Sequence, residues 1–272
     1  MNVKIALILA AVLLPCTFAI RIARVSKSAM LSDDWDYDEQ GEDWSSGSCA
    51  TGVQQSPINI ISSNARCSNS DLLQVTLNTS FASEIINNGH SYECEGEASK
   101  ILWTSSGSSI PFEAAQYHFH APSEHTIDGR RYDLEVHIVH SVSSDYQYVD
   151  TLTRSLAVIG ILFEVDERAP AHPFLSAFES HTPGEEFEVN LQQLLPIGDR
   201  PQFYSYPGSL TTPPCNETVN WFLLANVQKM PPTQLDYFAF TWSENSTFAG
   251  GNGNNREVQP LNGRTTIRGN CF

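Results

Sequence analysis

The chain has 272 residues, an ordinary apolar share and a formal net charge of −16. That length suffices for one large domain with a sizeable core. The acidity argues for solubility and against nucleic acid as a partner, because phosphates would repel the protein.

The first element is "MNVKIALILAAVLLPCTFAI". Lys4 precedes an apolar run from Ile5 to Leu14, and Thr17 and Ala19 are spaced like a cleavage site. This pattern predicts a secretory signal peptide over residues 1–19, cut after Ala19. As a membrane anchor the run is too short for about 30 Å of hydrocarbon, and Pro15 interrupts it. No later segment is apolar enough to span, so no membrane association is expected after cleavage. Residues 20–32 are polar and basic and read as a flexible tail or pro-segment. Residues 33–43 form an acidic run; charge alone would make it solvated surface, but Trp35 and Tyr37 suggest that it packs on the domain. From there to Phe272 no linker or repeat interrupts the chain, so 33–272 reads as one domain.

Strand-like runs follow: Leu73 to Leu77, Glu84 to Ile86, Gln116 to His120, Leu134 to His140, Leu156 to Val165 and Val219 to Ala225. Most are rich in Val, Ile and aromatics and bounded by Gly, Pro, Ser or Asp. Helical spacing is confined to three short stretches, His172 to Glu179, Asn190 to Leu194 and Pro232 to Ala239. The fold class is mainly β with a few short helices. In an oxidising compartment Cys49, Cys67, Cys94, Cys215 and Cys271 would make two pairs with one left over. Three N-x-S/T sequons, at Asn78, Asn216 and Asn245, are candidate glycan sites, although such triplets also arise by chance.

Five of the eight histidines lie between Ala114 and His140. Side chains alternate faces along a strand, so Gln116, His118 and His120 share one face and Tyr117 and Phe119 the other. In the next run Glu135, His137 and Val139 share a face. If the two strands lie side by side, three imidazoles converge, as zinc in a catalytic site requires when it keeps a fourth position open. Gln116 and Glu135 are placed to hydrogen-bond the far ring nitrogens and so fix tautomer and ring direction. A lone histidine in a strand is more often a satisfied core residue; an H-x-H pair with a third histidine on a matching face favours a metal.

The chain resembles an α-class carbonic anhydrase from about Asp33 to Phe272. The resemblance is carried by "QSPINI" (Gln55–Ile60), "NNGHS" (Asn87–Ser91), "QYHFH" with "SEHTIDGRRYDLEVHIVH", "LAVIGILFEV" (Leu156–Val165), "YPGSLTTPPC" (Tyr206–Cys215) and "REVQPLNGR" (Arg256–Arg264), all in order. The short connection "HAPSEH" resembles the algal, plant and bacterial branch. The resemblance implies one twisted, largely antiparallel sheet of about ten strands with short surface helices. It implies zinc on His118, His120 and His137, and catalytic roles for His90, Glu124, Thr211 and Thr212. Val139, Val158, Leu210, Val219 and Trp221 would form the apolar wall for CO2; on pattern alone they are ordinary core. His125, Tyr206 and His140 match structural positions.

The implied reaction is reversible hydration of CO2 to bicarbonate and a proton, by attack of zinc-bound hydroxide with proton shuttling through His90. A carboxylate only accepts hydrogen bonds, so Thr211 would donate its one proton to Glu124 and accept from the zinc ligand. His90 would relay protons because imidazole titrates near neutral pH, and Glu93 beside it, where animal forms carry an amide, could raise its pKa. Sulfonamide and anion inhibitors are expected. Secreted relatives pair the cysteines matching Cys49 and Cys215; elimination then gives Cys67–Cys94, with Cys271 free or joined to a second chain. Two other readings compete: a binding protein of this fold without catalysis, and an active domain that also serves as a scaffold through residues 20–43. The first would be expected to lack a zinc histidine, and all three are present.

Overall fold

Apolar residues on every second position build the centre of the molecule. The computed structural model describes residues 35–271 except 97–98, 147, 149–151 and 196–199; the signal peptide and tail expected over 1–32 lie outside the described residues. The central strands are Ser108–His120, Leu134–Val142, Leu156–Val165 and Val219–Leu224. They lie side by side in a sheet of twelve strands among the described residues, two more than the sequence suggested. Most neighbours run antiparallel. The exceptions are Leu156–Val165, parallel to both Val219–Leu224 and Gln228–Met230, and Ile267–Gly269, parallel to Arg66–Cys67.

Two apolar clusters result from the alternation. Tyr117, Phe119, Val136 and Ile138 belong to the larger one, which also holds Phe174 and Phe178 of helix α1 (Pro173–Glu179) and Phe238 of helix α2 (Pro232–Ala239). Proline occupies the first turn of both helices, where its missing N–H leaves no bond unmade. On the opposite face Val158, Val219, Trp221 and Tyr206 form the second cluster, packed against Val139 and Leu210.

Several elements differ from the sequence reading. The run expected from Glu84 to Ile86 is two strands, Phe81–Glu84 and Ile86–Asn87, broken at the buried Ile85, whose carbonyl takes the Gly184 N–H. The strands Ser99–Ser105 and Phe203–Gly208 went unread; the first has four hydrophilic residues in seven and the second contains Pro207, which demotes a strand pattern. Asn190 to Leu194 is a single 3-10 turn, Leu191–Leu194, with the Asn190 side chain accepting from Gln192 N at 3.0 Å.

The cysteines also depart in part. Cys49 and Cys215 are bonded, with Cα atoms 4.9 Å apart. The second bond is Cys67–Cys271, Cα atoms 6.1 Å apart, not Cys67–Cys94. The reason is sheet register: Arg268 lies opposite Cys67, which brings the chain end to that edge. Cys271 therefore has no thiol to offer a second chain. Cys94 is the free cysteine among the described residues; it lies opposite Tyr117 in the core, and burial pushes its thiol up to about 11.

His140, three residues beyond His137 on the same strand, is fully buried. It donates from Nδ1 to Ile138 O at 2.9 Å and accepts the Ser99 hydroxyl at Nε2, 2.7 Å away. Burial lowers its pKa to about 4, against weaker opposition from backbone hydrogen bonds. The unfolded chain, with an ordinary imidazole near 6.5, therefore takes up this proton first. Stability is full above about pH 6.5 and falls as pH drops toward 4, by about 3 kcal/mol in all from this group. Urea midpoints should decline across that window, and His140→Asn should flatten the decline while lowering the plateau.

Candidate metal centre

Cross-strand register builds the centre. His137 stands directly opposite His118, and Glu135 opposite His120. The ring centroids of the three histidines are 4.7 to 5.0 Å apart. One nitrogen from each falls in a single cluster whose ligand atoms lie within 4.8 Å of one another. His120 and His137 are buried and His118 is half-buried.

The outward nitrogen of each ring is committed to an acceptor. His118 Nδ1 donates to Gln116 Oε1 at 2.8 Å, His120 Nδ1 to the Asn254 carbonyl at 2.7 Å, and His137 Nε2 to Glu135 Oε1 at 2.8 Å. With those protons placed outward, the inward nitrogens carry lone pairs. His137 Nδ1 and His118 Nε2 face each other at 3.2 Å, and His120 Nε2, buried, has no hydrogen-bond partner. Protonation would relieve the mutual repulsion, but burial and the neighbouring histidines hold His118 well below its ordinary pKa, and burial lowers His120. A cation is what this donor set fits, and three neutral imidazoles suit zinc.

A second triad, His125, Glu135 and His137, is also close enough to chelate, but its atoms are already spent on one another. Glu135 Oε1 accepts from both rings, and His125 Nε2 lies 2.6 Å from the Tyr206 hydroxyl. His125 and Tyr206 are thus structural, as expected.

Glu124 faces the centre from the following loop. Its Oε1 accepts the Arg256 N–H at 2.9 Å; its Oε2 lies 3.5 Å from His120 Nε2 and 3.9 Å from His137 Nδ1. That Oε2 is buried and has no donor, so the expected hydrogen bond from Thr211 is not formed here. Thr211 is buried, and Thr212 lines the cleft with His118 and His120.

The cleft, about 110 Å³, opens past Trp35, Tyr37, His90 and Glu93. The His90 loop is held by its own asparagine: Asn88 Oδ1 accepts from His90 N at 2.9 Å and Ser91 N at 2.8 Å. The imidazole stacks on Trp35 with centroids 3.8 Å apart and planes 13° apart. Burial lowers its pKa, and Asp36, not Glu93, is the carboxylate that opposes this. Glu93 is itself raised, by burial first and by Glu95 second. The apolar wall is continuous across strands, with Val139 opposite Val158 and Val158 opposite Trp221. The Trp221 ring lies 4.8 Å from His137. Leu210 and Val219 pack into the same cluster.

Three contributors escaped the sequence reading: the Asn254 carbonyl, the Arg256 amide and the stacked face of Trp35. The first two are main-chain groups, which have no residue-type signal. Trp35 had one, an aromatic ring inside an acidic run.

The sequence model of the eukaryotic-type carbonic anhydrase family matches residues 39–269. A carbonic anhydrase of Pectobacterium atrosepticum is 32% identical over 256 residues, 89% of this chain and 93% of that one. Bovine carbonic anhydrase 6 is 36% identical over 198 residues, 65% of this chain but only 60% of its own length. The solved structure of carbonic anhydrase Cah3 from Chlamydomonas reinhardtii, in complex with acetazolamide, has a TM-score of 0.65 at 33% identity, covering 82% of this chain and 93% of that chain. With the family model spanning residues 39–269 and a 32% identical relative matched over 93% of its length, the chain belongs to the eukaryotic-type carbonic anhydrase family.

Proposed function

We propose that this protein is a zinc carbonic anhydrase that interconverts CO2 and bicarbonate with release or uptake of a proton. The observation that carries the reading is the set of three inward lone pairs, on His118 Nε2, His120 Nε2 and His137 Nδ1, each imposed by an acceptor behind its ring. These nitrogens are the zinc ligands proposed. Bound zinc supplies Lewis acidity, which makes water a usable nucleophile near neutral pH.

The chain's own residues do the rest. Val139, Val158, Leu210, Val219 and Trp221 offer apolar CO2 a surface that water does not compete for. Thr211 orients the attacking oxygen, and Glu124 Oε2, a buried carboxylate oxygen without a donor, is the group proposed to accept its hydrogen bond. Thr212 contributes a hydroxyl beside them. His90 accepts the product proton at the cleft mouth; burial lowers its pKa and so keeps the ring neutral and ready to accept. The catalytic domain is assigned to residues 33–272, after a signal peptide and tail. Its two disulfides support a secreted location. Among the described residues no helix is long and apolar enough to cross a membrane.

Stopped-flow CO2 hydration with and without acetazolamide, alongside zinc analysis, tests the whole reading. One zinc per chain and sulfonamide-sensitive turnover are expected; a folded, active, metal-free preparation would sink it. His90→Ala should lower kcat at high pH by about tenfold or more while leaving kcat/KM nearly intact, because attack on CO2 precedes proton export. Imidazole buffer should restore much of the loss. Equal falls in both parameters without rescue would mean that His90 only shapes the cleft.

A further inference from the structure

The proton carrier and one metal ligand stand on different elements, yet a single residue reaches both. Asn254 is fully buried. Its main-chain carbonyl accepts from His120 Nδ1 at 2.7 Å. Its side-chain oxygen accepts the Ala121 N–H at 2.8 Å, and its Nδ2 donates to Phe119 O at 2.9 Å and to His90 O at 3.0 Å. The amide therefore clasps the peptide groups on either side of His120 and, with the same NH2, the peptide of the proton carrier.

The loop can come this close because residue 253 has no side chain. Gly253 adopts φ +97°, and a Cβ there would lie 2.3 Å from Ala121 O. Within the turn itself the anchors of His90 are local: the Asn88 side chain caps it from inside, and Asn87 Oδ1 accepts from Gly89 N at 3.0 Å. The strand after the turn sets Glu93 opposite His118, and the local caps fix the shape of the turn, but neither reaches the His120 end of that strand. Only the Asn254 bond, among the bonds to His90, crosses to the end of the strand that carries His118 and His120. The Trp35 stack holds the ring from the outer side.

We infer that Asn254 is a positioning residue that sets the His90 loop against the His120 end of its strand, fixing the gap the proton must cross. This rests on the function proposed above. The main-chain half of the contact survives any substitution, so the side chain can be tested apart from the metal site. Asn254→Asp keeps the acceptor for Ala121 N and removes both donor bonds; Asn254→Ser keeps a small hydroxyl and is the second variant.

Three measurements are made on each variant and on the parent: zinc content, CO2 hydration with and without imidazole buffer, and the NMR signal of the His90 ring in zinc-depleted protein. About one zinc per chain, a kcat lower by roughly tenfold, kcat/KM within about twofold and recovery in imidazole are expected. The His90 ring signal should shift or broaden in the metal-free variants as its stack on Trp35 loosens. An unchanged kcat with an unchanged His90 signal overturns the inference, because the local caps then suffice. Zinc loss, or parallel falls in kcat and kcat/KM without rescue, also overturns it, as does failure of both variants to fold; Asn254 would then be structural only. An inactive parent would defeat the proposed function, while the His90 signal in metal-free protein would still decide whether the clasp exists.

Discussion

His118→Ala, His120→Ala and His137→Ala should each bring CO2 hydration to the uncatalysed background and abolish stoichiometric zinc. Two imidazoles do not complete the donor set of a catalytic zinc site, which commonly takes three protein ligands. The three variants should differ in metal-free stability, which separates a ligand from a core residue. In the metal-free protein the lone pairs of His137 Nδ1 and His118 Nε2 oppose each other at 3.2 Å. Removing His118, the half-exposed member, relieves that and costs about 1 kcal/mol or less. Removing His137 takes a donor from buried Glu135 and opens a cavity, so a loss of about 2–4 kcal/mol is expected. Urea unfolding after chelation measures the order. If His118→Ala destabilises the metal-free protein as much as His137→Ala, the three rings are packing residues and the centre is misread. A variant that keeps both zinc and turnover would sink the ligand assignment outright.

The face assignment of this centre was legible in the sequence because it needed only the period of two along a strand. His118, His120 and His137 share a pleat with Gln116 and Glu135, and two of the three outward hydrogen bonds follow from that alone. The third was invisible: the acceptor behind His120 is a carbonyl 134 residues away in sequence, and any residue type carries a carbonyl. The same holds for the amide of Arg256 that takes one oxygen of Glu124. The cysteine pairing failed for a related reason. Elimination among five cysteines ignores which strand edges meet, and the parallel pairing of Ile267–Gly269 with Arg66–Cys67 decided it. Gly160 illustrates the reverse case, a residue in plain view whose purpose appears only in register. It lies opposite His137, and a Cβ there would come within 3.0 Å of Glu135 Oε1 and 2.8 Å of Leu223.

Glu135→Gln should weaken zinc binding by about 10- to 100-fold and lower the stability of the metal-free protein by about 3 kcal/mol. Four donors converge on this fully buried carboxylate. Oε2 accepts from Glu124 N at 2.9 Å and His125 N at 2.8 Å; Oε1 accepts from His125 Nδ1 at 2.7 Å and His137 Nε2 at 2.8 Å. Burial alone would raise its pKa, but His125 and His137 outweigh that and hold it well below the usual carboxylate range. A glutamine has one acceptor where the carboxylate has two. If its NH2 replaces Oε2, it meets two backbone N–H groups that cannot turn away. If it replaces Oε1, both imidazoles must move their protons, and His137 then carries one on Nδ1, the nitrogen proposed for zinc. The first arrangement leaves buried donors unpaired, and the second pairs them only by turning the His137 Nδ1 proton toward His118 Nε2, where it blocks the metal. Glu135→Asp keeps the charge but retracts the oxygens, so it should fall between parent and Gln. The two readouts test different claims. Competition with a chelator reports ring orientation, while urea unfolding of zinc-depleted protein reports the four-donor network itself. Weaker zinc binding with unchanged metal-free stability would leave Glu135 as an orienting group alone and refute the network account.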